Sequence, residues 1–277
     1  MANKIKDFLK GKLTKKEISL VPSSFDMVGD IIIFSDFPKE LAKKEKIIGQ
    51  SILKNFKHIR SVFKKTKKYS GTFRTPKLKL IAGENKKETE YKENNARIRL
   101  NAEQVYFSPR LSEERKRIFG QVKDGESILV MFSGSGIYPI VIAKNSKAKE
   151  VYGIEINPTA HKYALENVKL NKLEGKIKLF LGDVNKIMPS INNKFDRILM
   201  PLPKDAENFL DLALSKIKKK GIINFYNFAE EGKYEDILKI IQEKCKKSGK
   251  KCTVLNIVKC GQFSPRVNRI CVDFVVK

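Results

Sequence analysis

The stretch SILVMFSGSGIYPIVIAKNSKAKEVYGIEINP (127–158) decides how this chain folds. It opens on an apolar run of strand length, turns through two glycines, continues as an apolar segment of helical length and ends on a second short apolar run. A buried strand, a tight turn, a helix and another buried strand form a βαβ unit, whose strands run parallel and are covered on both faces. The same rhythm continues through IKLFL (177–181), FDRILM (195–200) and GIINFYN (221–227), followed by CTVLNIVKC (252–260) and NRICVDFVV (268–276) with a shorter connection. The pattern predicts an α/β fold with a seven-stranded, doubly wound, Rossmann-like sheet.

Upstream the rhythm differs. GDIIIF (29–34), KLKLIA (77–82), ARIRLN (96–101) and QVYF (104–107) read as short strands, while PKELAKKEKIIGQSILKNF (38–56) starts with proline and places Leu41, Ile48 and Ile52 near helical spacing. This is α+β patterning. FSPRLSEERKRIFGQV (107–122) reads as a turn and a charged helix, so the boundary is placed there: a smaller α+β domain over 1–110 and the doubly wound domain over 111–277.

The chain has 277 residues and a formal charge of +26, from 57 basic and 31 acidic residues. An excess of this size concerns partners rather than fold, and points to nucleic acid or an anionic membrane. No apolar run approaches bilayer length, and MANKIKDFLKGK (1–12) lacks the apolar core of a signal peptide, so a cytoplasmic protein is expected. The four cysteines (Cys245, Cys252, Cys260, Cys271) and two histidines lack metal-site spacing, so no metal is expected and the cysteines read as strand-packing hydrophobes. KNFKHIRSVFKKTKK (54–68) contains Lys54, Lys57, Arg60, Lys64, Lys65, Lys67 and Lys68 without an acid, interleaved with Phe56 and Phe63. The phenylalanines read as core and the lysines as facing RNA phosphates.

Doubly wound sheets bind ligands at the carboxyl ends of their central strands. Here MFSGSGIYPI (131–140) supplies a glycine turn after the first strand, with Pro139 where a dinucleotide fingerprint has its third glycine. The second strand ends in Glu155, placed to accept from a ribose diol, and the third in Asp183, placed to accept from an adenine amino group. Two acidic strand ends without a phosphate-binding lysine suit a nucleoside that carries no phosphate. S-adenosylmethionine fits that description. The fourth strand ends in LMPLPK (199–204), whose two prolines cannot continue a ladder and offer carbonyls and a rigid wall beside the reactive end of such a ligand.

GTFRTPKLKLIAGENKKETEYKENNARIRLN, VYFSPRLSEER, MFSGSG, IEINP, LGDV and LMPLPK, in this order, resemble the archaeal and eukaryotic tRNA methyltransferases that modify N1 of guanosine at position 37. The resemblance runs from about residue 13 to the C-terminus. It implies a class I methyltransferase domain, S-adenosylmethionine as cofactor, tRNA as partner and a monomer. Guanine N1 carries a proton, so a base must remove it while a cation meets the charge that builds on O6. By resemblance the base falls on Glu114, the cation on Arg74, and Tyr106, Pro201 and Pro203 line the target-base pocket. Arg115, Phe132, Gly134, Gly136, Glu155, Ile156, Asp183, Val184 and Pro201 match positions around the cofactor. Without the resemblance, Glu114 reads as a solvated helix charge in the run EERKR.

Members devoted to guanosine have Asn-Leu-Pro at the fourth strand end, whereas this chain has Pro201-Leu202-Pro203. The lost amide loosens the demand for one base edge. Proline here resembles the archaeal wyosine branch, whose members also methylate carbon 7 of 4-demethylwyosine. Many archaeal members carry an additional N-terminal domain that touches the outer corner of tRNA, and this chain begins where their middle domain begins, so selection is expected to lean on the anticodon arm. An aminocarboxypropyl transferase of wybutosine synthesis and a non-enzymatic basic RNA-binding protein remain open alternatives.

Overall fold

In the computed structural model, which describes residues 2–277 and all their side chains except those of residues 2–4, 68 and 69, the chain forms two compact units. Met1 and the Lys68 side chain, both named above, lie outside the described residues. The first unit is Met1–Glu93 with Arg97–Pro109, and the second is Asn94–Ala96 with Arg110–Lys277.

The first unit contains α1 (Ala2–Phe8), α2 (Lys15–Leu20), β1 (Asp26–Val28), β2 (Ile31–Phe34), α3 (Glu45–Asn55), β3 (Ser61–Ser70) and β4 (Thr75–Gly83), with the four strands in the order β1-β2-β3-β4. Next come β5 (Glu88–Glu93) and β6 (Ala96–Asn101), paired with each other. Strands β2 and β3 are parallel, so α3 is their crossover. Leu41, Ile48 and Ile52 are fully buried with Ile32, Phe34 and Val62, as their spacing requires. The helix beginning at Pro38 first makes a 3-10 segment, Lys39–Lys44, before turning α-helical at Glu45.

QVYF (104–107) is not a strand. The Asn101 side chain accepts from the amides of Glu103 and Gln104, and its carbonyl accepts from Gln104 and Val105, a local turn that ends the extended chain. The basic run instead carries β3. Phe63 is fully buried and Phe56 packs against the core.

The second unit begins with α4 (Ser112–Gly120) and continues through β7 (Ser127–Met131), α5 (Ile137–Asn145), β8 (Glu150–Glu155), α6 (Pro158–Leu170), β9 (Ile177–Leu181), α7 (Val184–Ser190), β10 (Phe195–Met200), α8 (Leu210–Lys216), β11 (Ile217–Glu230), α9 (Glu235–Lys247), β12 (Cys252–Ser264) and β13 (Val267–Val276). The seven strands lie in the order β12-β13-β11-β10-β7-β8-β9. All are parallel except β13, which pairs antiparallel with both β11 and β12. From β7 the chain winds outward through β8 and β9, then returns to place β10 on the other side of β7. The switch point between β7 and β10 is where such a sheet opens a crevice for a ligand.

One face of this sheet carries polar residues at alternate positions. Asn224 stands opposite Asp273 and Tyr226 opposite Cys271 on β11 and β13. Helix α4 covers them. Arg117 of α4 grips Glu114 through Nε and Nη2, at 2.7 and 2.8 Å, and reaches Asp273 at 2.5 and 3.2 Å. Asn224 also donates to Asp273, at 2.6 Å, and accepts from the fully buried Arg197, whose fork closes on Glu126 at 2.8 and 3.2 Å. Charges taken out of water in this way are tolerable only while each has its partner.

Burial works to raise the Asp273 pKa, but hydrogen bonds from Arg117, Asn224 and Gln121 outweigh it and hold the carboxyl below the ordinary aspartate range. A depressed pKa adds stability that is present above the unfolded value and disappears as pH falls through the folded one. Asp273→Ala, which leaves Arg117 short of a partner, is therefore expected to cost about 3–5 kcal/mol at neutral pH. Urea midpoints should differ by much less at strongly acidic pH, and equal midpoints at neutral pH would contradict this account.

Candidate active site

Four strand ends line one edge of the second unit. Beyond β7, Phe132, Gly134 and Gly136 all have positive φ, at 60°, 56° and 83°, which folds the chain back on itself before α5 starts. Only glycine suits Gly136, because a Cβ there would sit 3.2 Å from Ala164 Cβ and the backbone is already left-handed. Beyond β8, Glu155 accepts from the Gly134 amide at 2.7 Å and from the Asn157 amide at 2.8 Å, tying the two strand ends together. Asp183, after β9, caps α7 by accepting from Asn185 at 2.8 Å. Beyond β10, the Leu202 amide donates to the Met200 carbonyl at 2.8 Å. That bond closes a three-residue turn centred on Pro201, whose ring fixes φ near the value such a turn needs.

These features fit a nucleoside ligand. Backbone amides of Gly134, Asn157 and Ile156 take up three of the roughly four acceptor positions of the Glu155 carboxylate, which leaves one for a hydroxyl. Ser135 Oγ is buried in the glycine turn without a hydrogen-bond partner, a cost of about 1–3 kcal/mol that a ligand seated there would relieve. Ile156 is 39% exposed beside Glu155 and offers an apolar edge. Val184 and Arg115 are buried, at 4% and 2% exposure, so their side chains belong to packing and to the interior. Phe132 packs edge-on against Phe209.

Glu114 is not the solvated charge its neighbours suggest. It is 5% exposed and accepts from Arg117 and from Tyr226 Oη at 2.6 Å. Burial pushes the phenols of Tyr226 and Tyr138 far above their ordinary range, so Tyr226 remains a donor toward Glu114. Burial and the adjacent Glu114 likewise push the Cys260 thiol up. A carboxylate has about four acceptor positions. Arg117 takes two and Tyr226 one.

Arg74 and Tyr106 belong to the first unit. Arg74 follows β3 at the tip of the β3–β4 hairpin with φ of 50°, its amide bonded to Gly71, next to Phe73, which is 43% exposed. Tyr106 is half-buried in the segment after β6. Within the basic run, Lys64 pairs with Glu45 at 2.5 Å and Lys65 with Asp26 at 3.8 Å, so these two are held inside the unit. Lys54, Lys57, Arg60 and Lys67 are exposed. The cysteines are free thiols, three on strands and Cys245 on α9, and no metal-holding cluster occurs among the described residues.

Sequence reasoning passed over Arg117, Tyr226 and Asp273. The available signal was the polar residues at alternate positions of apolar strands, Asn224 and Tyr226 in GIINFYN and Asp273 in NRICVDFVV.

Residues 89–255 match the model of the TRM5/TYW2 methyltransferase domain, and residues 5–86 that of the TYW2 N-terminal domain. The chain belongs to the TRM5/TYW2 methyltransferase family. Its enzymes bind S-adenosylmethionine, the group for which the strand ends described above are suited. Among its relatives, tRNA (guanine(37)-N(1))-methyltransferase Trm5b of Pyrococcus abyssi is 42% identical over 92% of this chain and 76% of its own length. The tRNA (guanine(37)-N(1))/4-demethylwyosine(37)-methyltransferase Taw22 of Nanoarchaeum equitans is 37% identical over 79% of this chain and 88% of its own. The solved complex of aTrm5 with tRNALeu matches at a TM-score of 0.87 and 32% identity, over 99% of this chain and 78% of that one. This methyltransferase domain contains no helix, among the described residues, long and apolar enough to cross a membrane.

Burial raises the Glu155 carboxyl above the ordinary glutamate range, against the pull of the Asn157, Gly134 and Ile156 amides. The ionised form, which can only accept hydrogen bonds, is therefore lost at a higher pH than in an exposed glutamate. S-adenosylmethionine affinity, measured by calorimetry, is expected to weaken on acidification from above that range. Glu155→Gln should weaken binding about tenfold or more at neutral pH and flatten the pH dependence. Unchanged affinity in this variant would remove Glu155 from ribose binding.

Proposed function

We propose that this chain transfers the methyl group of S-adenosylmethionine to the base at position 37 of tRNA, reached through the anticodon arm, with guanosine N1 as one acceptor and carbon 7 of 4-demethylwyosine as a second. The observation that carries the reading is the turn centred on Pro201 at the end of β10, beside the glycine turn of β7. A rigid apolar corner of Pro201 and Pro203 supports the reading, because a side-chain amide in its place would select a single base edge. The likeness to a relative named for both acceptors supports it.

Bound at the strand ends, the cofactor supplies an electrophilic methyl on a sulfonium. The protein's own residues do the rest. Glu114 takes the N1 proton as the N1 electron pair turns toward the methyl carbon, and Arg74 meets the negative charge that grows on O6. Arg117 and Tyr226 fix the Glu114 carboxylate in orientation, which spares the reaction the cost of arranging it. For 4-demethylwyosine, carbon 7 takes the methyl and gives up its own proton, a step in which the selection of one guanine edge has no part. Gly134, Gly136, Glu155 and Asp183 hold the nucleoside, and Tyr106 adjoins the target base.

A second reading, aminocarboxypropyl transfer from the same cofactor, is favoured by the match of residues 5–86 to the TYW2 N-terminal domain. The products differ in mass. Nucleosides from tRNA bearing guanosine at position 37, and from tRNA bearing 4-demethylwyosine there, are expected each to gain one methyl group when incubated with enzyme and S-adenosylmethionine. An aminocarboxypropyl adduct would establish the second reading, and no product from either would overturn both. Pro201→Asn is expected to lower activity on 4-demethylwyosine about tenfold or more relative to guanosine. Equal loss or retention on the two substrates would contradict the role given to Pro201.

A further inference from the structure

Beyond Tyr226 the polar face of the sheet changes character. The next row on the same face places Phe228 opposite Arg269. The Phe228 ring meets that of Phe263, from β12, with centroids 4.1 Å apart and planes 34° from each other, although β13 lies between their strands. The Arg269 guanidinium lies 5.7 Å from the Phe228 centroid. Phe263 is 62% exposed, the most open of the large apolar side chains, and neither ring belongs to the hydrophobic core of the unit.

Position distinguishes this pair from an ordinary exposed apolar residue. Strand β10 ends at Met200, level with Phe225, while β11 runs on to Glu230 with β13 and β12 alongside it. The aromatic pair is thus carried past the Pro201 turn, on the same overhanging edge. Phe228 follows Tyr226 by two residues on one face, about 7 Å along the strand, and Tyr226 is in contact with Glu114. Around the pair, Glu230 and Glu231 are matched by Lys233 and Lys259, while Arg266 is exposed at the β12–β13 turn in a left-handed conformation, φ 65°. The surface is aromatic and cationic.

We propose, building on the tRNA reading above, that Phe228 and Phe263, with Arg269, form a stacking platform for an unpaired anticodon-loop base that flanks the target. N1 of guanine lies on the edge used for pairing and is shielded within a stack, so methylation requires the base to leave its neighbours. Its departure strips one neighbour of a stacking partner. Aromatic faces and arginine planes replace that partner for any base, because every base has a π-face. Phe263 therefore acts in substrate positioning rather than in the bond-making step.

The test places 2-aminopurine at position 36 or at position 38 of otherwise complete tRNA, and follows its fluorescence as full-length enzyme is added with S-adenosylhomocysteine. Wild type is expected to quench the probe at one of the two positions. Phe263→Ala should abolish that quenching and raise the KM for tRNA about tenfold, with kcat at saturating tRNA and S-adenosylmethionine affinity nearly unchanged. Phe263→Tyr should restore both properties and Phe263→Leu should not. Quenching and KM unaffected by Phe263→Ala, or full rescue by leucine, would overturn the platform, as would a change of oligomeric state on Phe263→Ala, which would mark the pair as a protein contact. Methylation at position 37 without quenching would defeat the platform alone. Quenching without a methylated product would support it while defeating the position-37 reading.

Discussion

The Arg117 guanidinium, held between the carboxylates of Glu114 and Asp273, is the interaction on which the second unit depends. Three carboxylates, Glu114, Asp273 and Glu126, lie with Arg117, Arg197 and Asn224 in one hydrogen-bonded chain, so that loss of either arginine leaves a buried carboxylate short of its partner. The chain pins α4 to β11 and β13, the strands that continue past the end of β10. It also fixes Glu114, which lies one row inside the aromatic pair and on the helix that opens the methyltransferase domain. Stability and chemistry therefore meet in one group. The carboxylate proposed as the base is also a structural member of the sheet's buried face.

Much of the fold was legible because it rests on short-range pattern. Apolar runs of strand length, the glycine turn and the acidic strand ends are local, and the strand order places them at one edge. Glu114 was not legible from its surroundings. In EERKR it looks like a solvated helix charge, and its burial rests on Arg117, three residues on, and on Tyr226, 112 residues away, which both donate to it. The resemblance to known tRNA methyltransferases singled it out for a reason that the bare pattern lacked. QVYF failed in the opposite direction: its apolar alternation suits a strand, but Asn101 supplies a competing side-chain turn just before it. The basic run was half legible. Its lysines do face solvent in part, yet Lys64 and Lys65 are matched to Glu45 and Asp26, acids that lie on other elements.

The Pro201 turn links the architecture to substrate range. A strand must stop at this point to open the crevice, and a proline-centred turn stops it without any polar side chain. On one side β7 ends level with β10 and leads into the glycine turn, while on the other β11 continues and carries the Tyr226 and Phe228 rows. Selection between bases then comes from what fills this gap. In the proposed reading the prolines give this gap its shape and Glu114 its charge, with the Tyr226 hydroxyl committed to the carboxylate.

The most direct test is the single-turnover rate of guanosine methylation by Glu114→Gln under saturating S-adenosylmethionine and excess enzyme over tRNA, alongside its cofactor affinity and melting temperature. Loss of a general base predicts a rate lower by about a hundredfold or more, with cofactor affinity retained and the protein still folded at the assay temperature. A rate equal to wild type in the folded variant would show that the buried carboxylate serves the sheet alone.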